Sequence, residues 1–106
     1  MDLRAPYLIL IGEEDDATYA KTGLGIVQWR RECVAGQLRF PGCSVDLGVP
    51  DMTVAEAARA GVASLIVGVA PVGGAVPGPW WAVMEEAALA DILYLYGEER
   101  ASRRIA

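Results

Sequence analysis

The sequence contains no histidine. That absence removes the commonest general base and both the Ser-His and Cys-His nucleophile arrangements, leaving carboxylates, thiols, Lys21 and backbone amides for any catalysis. Cysteine is scarce too. Cys33 and Cys43 match no metal-binding spacing and are too few to complete a zinc site, so no metal is expected. They form either a disulfide or two thiols. No secretory n-region and h-region precede the first apolar segment, so thiols in a cytoplasmic protein are the default expectation. Basic residues are outnumbered, nine against fourteen acidic, and the net charge of -5 sets the field of the molecule against DNA, RNA and anionic lipid. Neither nucleic acid nor a membrane is an expected partner.

Unbroken apolar helices are also missing. From Ala60 to Met84 no charge occurs, a length that could in principle cross a bilayer, but prolines and glycines at 61, 68, 71, 73, 74, 77, 78 and 79 interrupt it. The segment reads instead as strand, loop and helix start. What remains is a chain of 106 residues, 54% hydrophobic, of a size for one domain that buries roughly two-thirds of its unfolded surface. So apolar a composition at this length predicts that part of the surface is covered by another copy, and a homo-oligomer is expected.

Tyr7-Leu8-Ile9-Leu10-Ile11 is apolar on both faces, the pattern of a central strand in a covered parallel sheet. Glu13, Glu14, Asp15 and Asp16 follow, suited to the positive end of a helix dipole, with Asp15 or Asp16 as the cap. A helix is predicted from Asp16 to about Arg31, with Ala20, Leu24 and Val27 on one face and Gly23 and Gly25 as weak points. Cys33 to Phe40 is the second strand, less apolar because Gln37 and Arg39 interrupt it. Thr53 with Glu56 three residues on matches a reciprocal capping box, and the helix it starts should stop at Gly61. Val62 to Ala70 is the third strand. Pro79 suits a first helical turn, and a helix over Trp80 to about Ala90 places one of the two adjacent tryptophans in the core. For 92–97 a fourth strand is preferred over a continued helix. Residues 98–106 read as a solvated helix, with Glu99 and Arg103 four apart.

Strands alternating with helices impose parallel pairing through right-handed crossovers. The expected fold is a small three-layer Rossmann-like α/β sandwich, one domain over residues 1–106, with a parallel sheet of three to four strands. Ligands of such a sheet gather at the carboxyl ends of its strands, so three loops are in play. The loop from Gly12 to Asp16 lacks G-x-G-x-x-G and is acidic, which disfavours a dinucleotide. The segment LRFPGCSVDLGVPDMT, residues 38–53, offers Arg39 as an anion clamp, Cys43 as a nucleophile or contact, and Asp46 and Asp51 as acid-base or hydrogen-bonding groups. It equally reads as turns with capping carboxylates and a snorkelling arginine. The loop from Ala70 to Pro79 frees backbone amides at Gly73 and Gly74 ahead of a helix, a cradle suited to a carboxylate or phosphate.

The stretches Pro6-Tyr7-Leu8, Ala20-Lys21-Thr22, GQLRFPGCSVDLGVPDMT (36–53), Glu56-Ala57 and LIVGVAPVGG (65–74) resemble the N-terminal Rossmann-like domain of a bacterial two-domain family. In that family a C-terminal P-loop domain follows, and its members include D-glutamate N-acetyltransferases of D-amino-acid catabolism. The likeness covers about residues 5–90. After Ala90 the family's further strand and Gly-Leu-His segment are replaced by DILYLYGEERASRRIA, which diverges. The resemblance implies a substrate-binding or docking domain of a D-amino-acid N-acetyltransferase-like enzyme, inactive without its P-loop domain. It also implies that acetyl-CoA or a nucleotide is bound only through that domain, no cofactor belonging to this chain. It transfers no catalytic residue; Arg39, Asp46, Asp51, Gly73 and Gly74 match its pattern on strand-end loops and are the candidate ligand contacts. A stand-alone small-anion-binding module and a homo-oligomerising structural domain are the alternatives.

Overall fold

Residues 4–13, 20–68, 78–90 and 92–95 are described by the computed structural model, those of 93–95 as backbone only. The apolar run becomes β1 (Tyr7–Gly12), buried along its whole length. It is flanked on both edges by parallel neighbours, β2 (Val34–Arg39) and β3 (Ser64–Val67), as a strand apolar on both faces requires. A fourth parallel strand, β4 (Leu93–Leu95), adds to β3 and gives the order β2-β1-β3-β4. The preference for a strand within 92–97 is thereby met at its centre.

Three helices cover the sheet: α1 (Lys21–Arg30), α2 (Val54–Arg59) and α3 (Gly78–Leu89). Side chains alternate along β1, and the two faces have different covers. A Cβ on Gly23 of α1 would lie 3.2 Å from Ile11 and 3.3 Å from Ile9, whereas one on Gly12 would run into the Trp80 indole of α3. Helix α2 packs with α3, so α1 forms one layer and α2 with α3 the other. The result is the expected three-layer sandwich. Leu8, Ile9, Leu10, Ile11, Leu65, Met84 and Ile92 are all within 1% of complete burial, and each such aliphatic side chain contributes on the order of 1.5–3 kcal/mol relative to exposure.

Local chemistry sets the element ends. The Thr53 hydroxyl accepts from the Glu56 N–H at 3.1 Å and the Glu56 carboxylate accepts from the Thr53 N–H at 2.9 Å, completing the capping box. At the other end of α2, Gly61 sits at φ 80, and bonds from Gly61 to Ala58 (3.2 Å) and Val62 to Ala57 (3.0 Å) close a Schellman motif. Helix α1 ends at Arg30, close to the expected Arg31, and its expected start at Asp16 lies outside the described residues. It begins at Lys21 with Ala20 as N-cap, Gly23 rather than Leu24 joins Ala20 and Val27 on the buried face, and a 3₁₀ turn over Arg31–Cys33 leads into β2. Leucine cannot occupy the inner position because the β3 end passes too close there, as described below. The expected cap at Asp15 or Asp16 and the tail helix over 98–106 lie outside the described residues, as do 69–77.

Candidate functional site at the carboxyl edge of the sheet

The chain leaves β1 toward β2, then crosses back over β1 to reach β3, so the topological switch point lies between the carboxyl ends of β1 and β3. Gly12 and Glu13 end β1, and Gly68 follows β3. Gly12 has φ 67, and the indole of Trp80 lies against its Cα so closely that a Cβ would sit 2.4 Å from Nε1. Both steric requirements select glycine. Trp80 is 3% exposed, and its Nε1–H donates to the Glu13 carboxylate, 3.1 Å from Oε1 and 3.3 Å from Oε2. A buried indole N–H needs an acceptor, and this one fixes an exposed carboxylate over the switch point.

On the face covered by α1, the Gly23 N–H donates to the Gly68 carbonyl at 2.9 Å, satisfying one of the unpaired amides in the first turn of α1. A Cβ on Gly68 would lie 2.5 Å from Ile9 and 3.0 Å from the Gly23 Cα. The helix start and the strand end meet backbone to backbone. In nucleotide-binding relatives of this architecture that turn faces a phosphate; here one of its amides is already spent on protein.

The second part of the edge is the segment after β2. Gln37, 1% exposed, is its centre: Nε2 donates to Asp46 Oδ1 (2.9 Å) and to the Val49 carbonyl (2.8 Å), while Oε1 accepts from the Leu47 N–H (2.9 Å). Its backbone accepts from Met52 and donates to Pro50, both at 2.8 Å, forming a parallel bridge opposite Asp51. The segment 50–52 thus covers the outer edge of β2, which would otherwise be an open template for pairing. Gly36 permits this approach, since a Cβ there would lie 2.6 Å from the Pro50 carbonyl. The Phe40 N–H donates to the Gly12 carbonyl at 2.7 Å and joins this segment to the end of β1.

Arg39 makes a two-pronged pair with Asp51, Nε to Oδ1 at 2.8 Å and Nη2 to Oδ2 at 2.9 Å, while Nη1 donates to the Val45 carbonyl at 3.1 Å and lies 3.9 Å from Asp46. The Asp51 hydrogen bond holds the guanidinium charged above its ordinary range, and the same bond lowers the Asp51 pKa. Asp46 is lowered first by the Gln37 amide and then by the Gly48 N–H, which it accepts at 2.8 Å. Cys43 Sγ donates to the Val45 carbonyl at 3.4 Å, and no disulfide joins it to Cys33. Among the described residues no group of three His, Cys, Asp or Glu is placed to hold a metal ion, and no helix is long and apolar enough to cross a membrane.

Of the residues singled out by sequence, Arg39, Asp46 and Asp51 are therefore brought together, with Cys43 beside them, while Gly73 and Gly74 lie outside the described residues. Sequence reasoning missed Gln37, the Trp80–Glu13 bond and the Gly23–Gly68 contact. Only Gln37 left a signal: a polar residue inside a strand whose neighbours become buried.

Residues 38–91 match the family model described as a domain of unknown function (DUF1611_N), a Rossmann-like domain. The chain is similar to the D-glutamate N-acetyltransferase of Tritonibacter scottomollicae, 39% identical over 85 residues, covering 80% of this chain and 26% of that protein. It is also similar to the D-glutamate N-acetyltransferase of a Pseudoalteromonas species, 32% identical over 87 residues, covering 82% of this chain and 26% of that protein. The chain thus spans about a quarter of the length of these curated relatives. A crystal structure of a DUF1611 family protein from Anabaena variabilis shares the fold, with TM-score 0.65 and 22% identity over 85% of this chain and 28% of that one.

Proposed function

This chain belongs to the DUF1611_N family of Rossmann-like domains, and we propose that it forms one wall of the substrate pocket of a D-amino-acid N-acetyltransferase. The observation that carries the reading is the similarity to two D-glutamate N-acetyltransferases across four-fifths of the chain. The fold supports it by placing a rigid edge where open parallel sheets receive ligands. On this reading the Arg39–Asp51 pair and Asp46 frame the pocket beside β2, and the amides of Gly73 and Gly74 contribute beyond β3. The acetyl donor is bound by sequence that the relatives carry outside the aligned quarter, and the chain alone has no turnover. The setting is the cytoplasm.

The test is a chimera in which this chain replaces the matching quarter of the Tritonibacter scottomollicae enzyme, assayed with D-glutamate and acetyl-CoA by mass spectrometry of the product. The expected result is N-acetyl-D-glutamate from the chimera and none from the chain alone. A folded chimera without product, beside an active parent, overturns the reading.

A second reading, self-association, is favoured by Trp81 and Leu89 on α3, which are 48% and 71% exposed. Sedimentation equilibrium should show a dimer or larger that Trp81→Glu weakens. A monomer at high concentration removes it.

A further inference from the structure

We propose that Glu13 is the docking point for the primary ammonium group of the amino-acid substrate; the proposal rests on the transferase reading above and names the part of the substrate that this chain recognises. Glu13 lies at the end of β1, the central strand, beside the switch point. Its carboxylate is exposed, yet it is not loose, because the Trp80 indole donates to both oxygens from a ring that is itself buried. The indole packs against Gly12, where a Cβ would lie 2.4 Å from Nε1. One N–H donor leaves most of the acceptor capacity of an ionised carboxylate open. Among the described residues no cation pairs with it, the ion pairs there being those of Arg39.

The charge balance of the edge favours an ammonium over an anion. Arg39 is engaged by Asp51 and faces Asp46, so one guanidinium stands against two carboxylates. The amide of Gly23 is bonded to Gly68. The start of α3 adds the equivalent of about half a positive charge, less than the full negative charge of Glu13. An oriented carboxylate with an open face is the usual protein partner of an ammonium ion, through charge-assisted hydrogen bonds.

The bland alternative is that Glu13 serves only as the acceptor that a buried indole requires. Glutamine separates the two, since Glu13→Gln keeps an acceptor for Trp80 and loses the charge. The Trp80 indole N–H provides a direct readout in a nitrogen–proton correlation spectrum of the full chain, assigned by comparison with Trp80→Phe. Titration with D-glutamate should shift that resonance progressively, and N-acetyl-D-glutamate, which lacks the ammonium, should not. In Glu13→Gln the resonance should take up a new position without ligand, the acceptor now being neutral, and should no longer respond to D-glutamate. In the chimera, the same substitution should lower kcat/KM for D-glutamate by about tenfold, as loss of a contact to the nitrogen that receives the acetyl group requires.

No shift with D-glutamate, an equal shift with its N-acetylated form, or an unchanged kcat/KM in Glu13→Gln would overturn the proposal. These outcomes are separable from failure of the transferase reading. An active chimera with a silent Trp80 refutes the ammonium site alone, and a responsive Trp80 in an inactive chimera refutes the transferase reading alone.

Discussion

Gln37 and Asp46 are joined by a 2.9 Å hydrogen bond from a buried amide to a solvent-facing carboxylate, and the whole connection after β2 is arranged around that bond. The amide also holds Leu47 and Val49, so three residues of the connection are tied to one side chain inside the strand. Gln37→Leu nearly keeps the volume and removes all three side-chain hydrogen bonds. It should destabilise the fold by about 1–3 kcal/mol for each buried backbone group left unpaired, read as a lower denaturation midpoint in urea with a similar slope.

The Arg39–Asp51 pair makes a different prediction. Both hydrogen bonds are near ideal, but the carboxylate side is 58% exposed, so solvent screens much of the attraction. Arg39→Ala and Asp51→Ala should each lower the melting temperature modestly, and the double variant should melt no lower than the worse single one, because both remove the same contact. A purely ligand-binding arginine would leave the melting temperature unchanged.

Gly12 and Gly68 are required by close approach. Alanine at Gly12 must adopt a left-handed backbone, costing roughly 1–2 kcal/mol, and must also displace the Trp80 indole. Alanine at Gly68 pushes α1 off the end of β3. Tryptophan fluorescence should report the first by a change in Trp80 burial, and amide exchange should report the second by faster exchange at Gly23.

Acid should weaken the fold through three groups. Asp46, Asp51 and Glu56 have folded-state pKa values below their ordinary ones, held down respectively by the Gln37 amide, the Arg39 guanidinium and the Thr53 N–H. A lowered folded pKa means the stabilisation is fully present above the unfolded values, about 4, and is lost as pH falls through the folded values below that. The urea midpoint should therefore be flat from neutrality to about pH 5 and fall below about pH 4. The fall should be shallower in a Gln37→Leu, Asp51→Asn, Glu56→Gln variant, which lacks two of the carboxylates and the principal partner of the third.

The order of elements, the parallel sheet and the capping box at Thr53 were legible because each depends on neighbours a few residues apart. An apolar run needs two covered faces, and Thr53 reaches Glu56 within one turn. The edge of the sheet was less legible. Arg39, Asp46 and Asp51 were named, but a bidentate pair twelve residues apart cannot be told from a free clamp until the turn between them is folded. Gly23 read as a weakness in a helix because its partner, Gly68, is distant in sequence, and Trp80 reaches Glu13 across 67 positions. Long-range backbone approaches leave only glycines in a sequence, and glycines have many causes.

The central claim is that substrate is received at the carboxyl ends of β1 and β3. Amide hydrogen exchange of the chimera with and without D-glutamate tests it most directly. Slower exchange at Gly12, Glu13, Lys21–Gly23 and Gly68 is predicted, with Tyr7, Val34 and Ser64 at the opposite ends of the strands unaffected. Protection confined to those opposite ends, or absent from this chain while the chimera binds substrate, would contradict the account.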